Sequence, residues 1–349
     1  MKKKIGLLCS VFILLILTAC NGSASSTSKG SDDSEETYTL SLTTVVTTTH
    51  PFSKDTIEPF MERVEELTDG RVEFKYYPAE QLGKAADFVH MVGDGVVDIA
   101  HFNAWTYPNE FPISSSLLAM PGLVTTGGEM TPIFNDLVKS EPILEEDFLK
   151  NNVRPIMGMV TLPYALFTTG KEIKTPDDLK GMKVMSNGGV FKETIEHLGG
   201  TPVTLSPSEM YEAFEKGVVD VVNHYPSTLN AWSMGDLIKD GAPNSRFGAG
   251  PYGLMINENT WNGLPGDIQD AINQAGDEIA KSSSIIFDED SLGIEEEWIE
   301  DGLFKRISEE EEQQWLDVYE EIRESWLEKQ DDKYKEAYDL LLEKIEDLN

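Results

Sequence analysis

One phrase is written twice in this chain. Gly95-Val96-Val97-Asp98-Ile99-Ala100-His101-Phe102-Asn103 returns as Gly217-Val218-Val219-Asp220-Val221-Val222-Asn223-His224-Tyr225. Each copy follows an amphipathic helical stretch, Phe88 to Asp94 and Met210 to Lys216. Each reads as helix, glycine stop, buried strand, then polar and aromatic residues where the strand ends. A chain that builds one α/β unit twice is expected to form two similar lobes. Ligands of open α/β sheets sit beyond the carboxyl ends of the strands, so two such edges facing each other would make a cleft for a small molecule. Aligning the copies sets His101 opposite Asn223 and Asn103 opposite Tyr225, on facing walls.

The flanking sequence extends both units. Tyr38 to Thr49 alternates as a first strand, the loop Thr49-His50-Pro51 follows, and Ser53 to Leu67 carries Ile57, Phe60, Met61 and Val64 at helical spacing. Arg71 to Tyr77 alternates again, and Gln81-Leu82-Gly83 leads into the helix before the first copy. The second unit opens on Thr175-Pro176-Asp177-Asp178, with Thr as N-cap, Pro at N1 and Asp178 placed to close a capping box. Met182 to Met185 reads as a strand, Asn187-Gly188-Gly189 as a turn, Phe191 to Leu198 as a helix and Pro202 to Leu205 as a strand. Ser206-Pro207-Ser208-Glu209 repeats the capping pattern, so both units are β-α-β-α-β. Leu162 to Thr169 is expected to cross from the first lobe to the second, and Tyr252 to Ile256 to return. That double crossing predicts a hinge. The tail is helical from Pro265 to about Glu300, and Trp315, Tyr319, Ile322 and Trp326 follow at helix spacing, as expected for packing onto the lobes.

Residues 1–20 read as a targeting segment: Lys2-Lys3-Lys4 is the positive start and Ile5 to Leu17 the apolar run. No second run long enough to span a membrane follows. The ending Leu17-Thr18-Ala19-Cys20 resembles a bacterial lipobox, which makes Cys20 the expected lipidation site. Residues 21–36 are almost all Ser, Thr, Gly, Asp and Glu, the composition of a flexible tether. The two cysteines are Cys9 and Cys20, so the mature domain has no disulfide, thiol nucleophile or Cys-held metal. Acidic residues outnumber basic ones 62 to 28. That balance argues against nucleic acid, whose phosphates need a basic face. It fits a strongly solvated surface, or steering of cationic ligands. The chain contains no Gly-x-Ser-x-Gly elbow, His-Glu-x-x-His pair or phosphate loop, and its five histidines lack metal spacing. No catalytic residue, cofactor or metal is expected.

The block from Asp178 to Pro226 resembles the solute-binding proteins of TRAP transporters, the dicarboxylate-binding-protein-like family. The matching pieces are Asp178-Leu179-Lys180-Gly181, Leu198-Gly199-Gly200, Pro202-Val203, Ser208-Glu209-Met210-Tyr211-Glu212-Ala213 and Gly217-Val218-Val219-Asp220, in that order. Upstream, Thr68-Asp69-Gly70-Arg71-Val72 and Gln81-Leu82-Gly83 match as well. The resemblance implies an α/β, two-lobed periplasmic-binding-protein-like (type II-like) fold with crossing strands and a long C-terminal helix. The expected division is a bilobed domain over 37–349, with lobe I about 37–161 plus parts of 250–349 and lobe II about 162–250. It also implies a non-enzymatic protein, which the lipobox at Cys20 would anchor by lipid at the extracytoplasmic face of the cell membrane. Such a protein delivers a small solute to an ion-gradient-driven permease of one small and one large integral subunit. A sensory protein presenting solute to a receptor kinase and a surface lipoprotein hydrolase are the alternatives.

One departure concerns the solute. The family's Lys-Ile-Arg pattern, whose Arg grips a carboxylate through paired hydrogen bonds, reads Lys183-Val184-Met185 here. After Asp220 the usual Gly-Gln-Glu-Asn is replaced by Val221-Val222-Asn223-His224, which sets His224 where the family has its ligand-contacting Asn. Two readings stay open. The solute lacks a carboxylate, being an amine, alcohol or neutral polyol, or another donor serves, such as Lys192, Arg154 or the backbone N–H groups at Gly188-Gly189. The candidate ligand-binding residues are His50, Gln81, His101, Asn103, Trp105, Tyr164, Met185, Asn187, Asn223, His224 and Trp232. The rings of Trp105, Tyr164 and Trp232 suit cleft walls and cation–π contact, or equally hinge packing. Asp98 and Asp220 read as structural acceptors of backbone N–H groups.

Overall fold

The computed structural model describes residues 36–205 and 207–348. The targeting segment with Cys20, the tether up to residue 35, and Ser206 of the second capping pattern lie outside the described residues.

Ten strands form two five-stranded sheets. They are β1 (Tyr38–Thr43), β2 (Val72–Tyr77), β3 (Ile99–Asn103), β4 (Val153–Val160) and β5 (Ala165–Thr168), then β6 (Lys183–Ser186), β7 (Thr201–Thr204), β8 (Val221–His224), β9 (Asp240–Ala242) and β10 (Pro251–Asn257). The first sheet runs β2-β1-β3-β10-β4 and the second β7-β6-β8-β5-β9. In each, the three strands of the repeated unit are parallel, and the fourth, a crossing strand, pairs antiparallel with the strand of the repeated phrase. The expected two-lobed α/β fold with crossing strands is the one observed.

The two copies share their stabilising devices. The helix before β3 ends at Gly93 and the one before β8 at Glu215. Gly95 and Gly217 then take φ of 72° and 67°, values that cost a residue with a Cβ but not glycine. Val96 N–H donates to the Met91 carbonyl at 2.9 Å and Val218 N–H to the Ala213 carbonyl at 2.8 Å, the Schellman closure of a helix end. Asp98 accepts the Ser41 backbone N–H at 2.8 Å, and Asp220 accepts that of Lys183 at 2.9 Å. Each aspartate therefore ties the repeated strand to its parallel neighbour. Both are structural acceptors, as their place in the repeat suggests.

Side chains alternate across each strand, so every sheet needs cover on two faces. In the first, Leu42 and Ile99 pack with Phe60, Val64 and Ile268, while Ala100 and Phe102 pack with Phe88, Phe111 and Phe148. In the second, Val184 and Val221 pack with Phe191 and Ile195, and Met185 and Val222 with Met210 and Phe214. The 35-residue helix Gly266–Glu300 is about 50 Å long at 1.5 Å per residue. Its Ile268 and Ile272 lie in the first lobe's core and its Trp298 in the second's, so one rigid element braces both. Trp315 and Tyr319 on the next helix, Glu309–Leu327, are fully buried and hydrogen-bond the Lys174 and Ser245 carbonyls, each at 2.8 Å.

Some boundaries differ from the sequence reading. The first strand stops at Thr43, because Thr44 to Thr49 turn away to deliver His50. The helices Gly127–Val138 and Asp332–Glu346 were not anticipated. The first packs against β4, and the two pack against each other, through contacts distant in sequence.

Candidate ligand-binding cleft

The two crossing segments meet between the sheets. Thr161 N–H donates to the Gly250 carbonyl at 3.0 Å, Tyr164 N–H to Gly248 at 2.6 Å, and Phe247 N–H to Tyr164 at 2.9 Å. Trp105 and Tyr164 close around Gly250. A Cβ there would lie 2.6 Å from the Trp105 ring and 3.1 Å from the Tyr164 hydroxyl, so only glycine fits. This paired ribbon is the floor on which the aromatic side chains converge.

On the first lobe, the turn after β1, the middle of β3 and the start of β10 bring rings together. Phe52 lies 4.7 Å from His101 and 5.6 Å from Tyr252, centroid to centroid. On the second lobe, Tyr164 stacks between Phe191 at 5.3 Å and His224 at 4.7 Å. His224 also meets Tyr225 at 4.5 Å and Trp232 at 5.1 Å. The lobes sense each other here: Tyr225 of the second raises the pKa of buried Tyr252 of the first, after the larger effect of burial.

His50 and His224 are neutral donors. Nδ1 of His50 accepts the Phe52 N–H at 3.1 Å, and Nδ1 of His224 accepts the Tyr225 N–H at 3.0 Å. In each neutral ring the proton then resides on Nε2, which is left to donate. Burial pushes the pKa of His101 and of His224 down to about 3. His50 keeps a large exposed surface, yet desolvation lowers its pKa too.

The other sequence candidates divide. Asn223 is fully buried at the end of β8, and neither atom of its amide has a partner. Asn103 ends β3 opposite Tyr252, and Asn187 is half-buried between β6 and the helix Gly189–His197. Gln81 is exposed on the turn after β2. Met185 is 2 % exposed and packs in the second lobe's apolar core with Ala165, Met210 and Val222. It fills the core as a hydrophobe instead of reaching the ring cluster. Neither alternative side-chain donor joins the cluster, and of the backbone N–H groups named with them, that of Gly188 donates to Ser186 Oγ at 3.1 Å. Arg154 is held bidentate by Glu258 at 2.7 and 2.8 Å, and Lys192 is exposed beside Glu196. Phe52, Phe191, Tyr225 and Tyr252 complete the cluster but were not among the sequence candidates. For Tyr225 the repeat was a usable signal. For the other three no local pattern marks them.

Every arginine is engaged elsewhere. Arg63 pairs with Glu278, Arg71 with Asp267, Arg154 with Glu258, Arg246 with Glu312 and Arg306 with Glu295, while Arg323 donates to the Pro121 carbonyl. Among the described residues, no group of three or more His, Cys, Asp and Glu side chains is arranged to hold a metal. The arrangement can grip a solute through aromatic faces and neutral hydrogen bonds.

The model of bacterial extracellular solute-binding protein family 7 (DctP) matches residues 42–330. The chain belongs to this family. It is similar to a solute-binding protein of Chromohalobacter salexigens, 25% identical over 67% of this chain and 68% of that one. The C4-dicarboxylate-binding periplasmic protein DctP of Rhodobacter capsulatus is 24% identical over 62% and 64%. Among solved structures, a TRAP periplasmic solute-binding protein of Desulfovibrio salexigens superimposes with a TM-score of 0.76 at 23% identity, covering 89% of this chain and 95% of that one. A TRAP solute-binding protein of Rhodoferax ferrireducens, solved with copurified benzoate, gives 0.76 at 20% identity, covering 88% and 98%. Family 7 members are solute-binding proteins, and the two-lobed fold with its long helix is that of the TRAP structures. Among the described residues no helix is long and apolar enough to cross a membrane.

Proposed function

We propose that this family 7 protein captures a small polar organic solute outside the cytoplasm and hands it to a TRAP permease of one small and one large integral subunit. Two ring clusters, His101 with Phe52 and Tyr252 and His224 with Tyr164 and Trp232, together with the pairing of the crossing segments, support the reading. A solute bound there touches both lobes, so occupancy biases the angle between them, and a permease can read that angle. Asn103, Asn187 and Asn223 border the same strand ends and add polar contacts. Relatives of this fold were solved with D-glucuronate, benzoate or mandelate, which supports a small organic solute for this chain too. Cys20 holds the protein to the membrane by a lipid, with residues 21–36 as tether, and the chain itself performs no chemistry on its cargo.

Two experiments test this. Mass spectrometry of the protein purified from its native host should find a small molecule released on denaturation. Full-length protein should sediment with membranes and Cys20→Ser should not. Chemical turnover of the released molecule by the protein would sink the transport reading, and membrane retention of the Cys20→Ser variant would sink the anchor.

A further inference from the structure

Resting on that reading, we infer that the cleft takes an uncharged, ring-bearing polar solute, held by neutral donors and acceptors on its two walls and not by an arginine–carboxylate pair. The first argument comes from the repeat. His101 and Asn223 occupy the same position in the two copies, each the third residue of its strand, β3 and β8. They are 5 % and 0 % exposed, and Nδ1 of His101 and both amide atoms of Asn223 lack partners. Buried polar atoms without partners are rare, and here they recur at equivalent places on both lobes. The chemistry of these groups constrains what can complete them. An ionised carboxylate only accepts hydrogen bonds and would leave the Asn223 oxygen unpaired. An ammonium only donates and would leave the Asn223 nitrogen unpaired. A hydroxyl or a neutral amide does both.

The second argument is charge. Every arginine is committed elsewhere, and Met185 lies in the second lobe's core where the family's guanidinium would start. The same desolvation that keeps His101 and His224 uncharged penalises a charged solute placed beside them. The third argument is shape. Tyr225 and Trp232 on one side and Phe52 and Tyr252 on the other offer flat apolar faces, which suit a ring better than a short linear chain.

Calorimetric titration of the full-length protein in detergent, freed of endogenous solute by unfolding and refolding, tests this with matched pairs: benzamide against benzoate, and D-glucose against D-glucuronate. At pH 7.5 the uncharged member of a responding pair should bind at least about tenfold more tightly, because a carboxylate loses its hydration beside the buried neutral rings and benzoate, in addition, cannot donate to the Asn223 oxygen. Asn223→Leu supplies the variant test. It replaces two unpaired atoms by an apolar group of similar shape, so it should raise the melting temperature while weakening the uncharged probe about tenfold or more. Equal or tighter binding of the acids overturns the inference and leaves solute capture standing. So does an Asn223→Leu variant with unchanged affinity. If no probe binds and denaturation of the freshly purified protein releases no small molecule, the solute-binding reading falls, and this inference with it.

Discussion

Asp288 provides a test of how the long helix is joined to the first lobe. Its carboxylate, 8 % exposed, accepts the Gly127 N–H at 3.2 Å and the Gly128 N–H at 2.7 Å, at the start of the helix Gly127–Val138. Burial raises its pKa from 3.8 to about 6, although the two N–H groups pull the other way. The folded state thus binds this proton more tightly than the unfolded chain does. The contribution of Asp288 to stability is fully present below pH 3.8 and is lost as the pH rises to about 6. At 1.36 kcal/mol per unit the full effect is about 3 kcal/mol, and residual solvent screening reduces it to about 2 kcal/mol. Asp288→Asn removes the titration and keeps one acceptor. Losing the second acceptor costs about 1 kcal/mol at any pH. The variant should therefore be about 1 kcal/mol less stable than wild type near pH 4 and about 1 kcal/mol more stable at pH 8. Urea unfolding of both proteins across that range measures the difference. A difference that stays constant with pH, or grows in the wild type's favour as pH rises, refutes the argument. Such a result would mean that the helix N-terminus outweighs desolvation at this carboxylate.

Three further outcomes are expected. Trp315→Ala opens a cavity at a fully buried ring and frees the Lys174 carbonyl, so denaturant unfolding should show a loss of about 3–5 kcal/mol. Asp98→Ala and Asp220→Ala each strip a backbone N–H of its acceptor and should each cost about 1–3 kcal/mol, adding in the double variant because they lie in separate sheets. Gly95→Ala and Gly217→Ala should each lower stability by about 1 kcal/mol in thermal melts, through backbone strain alone, since nothing stands closer than 4.0 Å to either Cβ position.

Much of the scaffold could be read from local pattern. The repeat implied two matched lobes, and the alternating runs at Leu162–Thr169 and Tyr252–Ile256 implied the crossings. The apolar spacing from Pro265 onward implied the bracing helix, because helix and strand periods are written in consecutive residues. The site was less legible. His101, Asn223 and His224 could be named as candidates because the repeat marks equivalent places on its two strands. Phe52, Phe191 and Tyr252 escaped, since only the order β2-β1-β3-β10-β4 and the pairing of the crossing segments bring them to the same place. Met185 shows the limit from the other side. Its position promised a cleft residue, but alternation along β6 turns it with Val222 into the core.

The order of residues dictates the duplicated unit, its glycine stops at Gly95 and Gly217, the paired aspartates and the family to which the chain belongs. These are short-range devices: a φ, a cap or an alternation needs only a few neighbours. Tertiary structure alone assigns each arginine to a distant carboxylate or carbonyl, such as Arg63 to Glu278 and Arg323 to Pro121. It also leaves His101 and Asn223 buried with unpaired atoms. Charge neutralisation and desolvation act through space, so whether a polar side chain meets a partner, water or a solute is settled only once both lobes are in place.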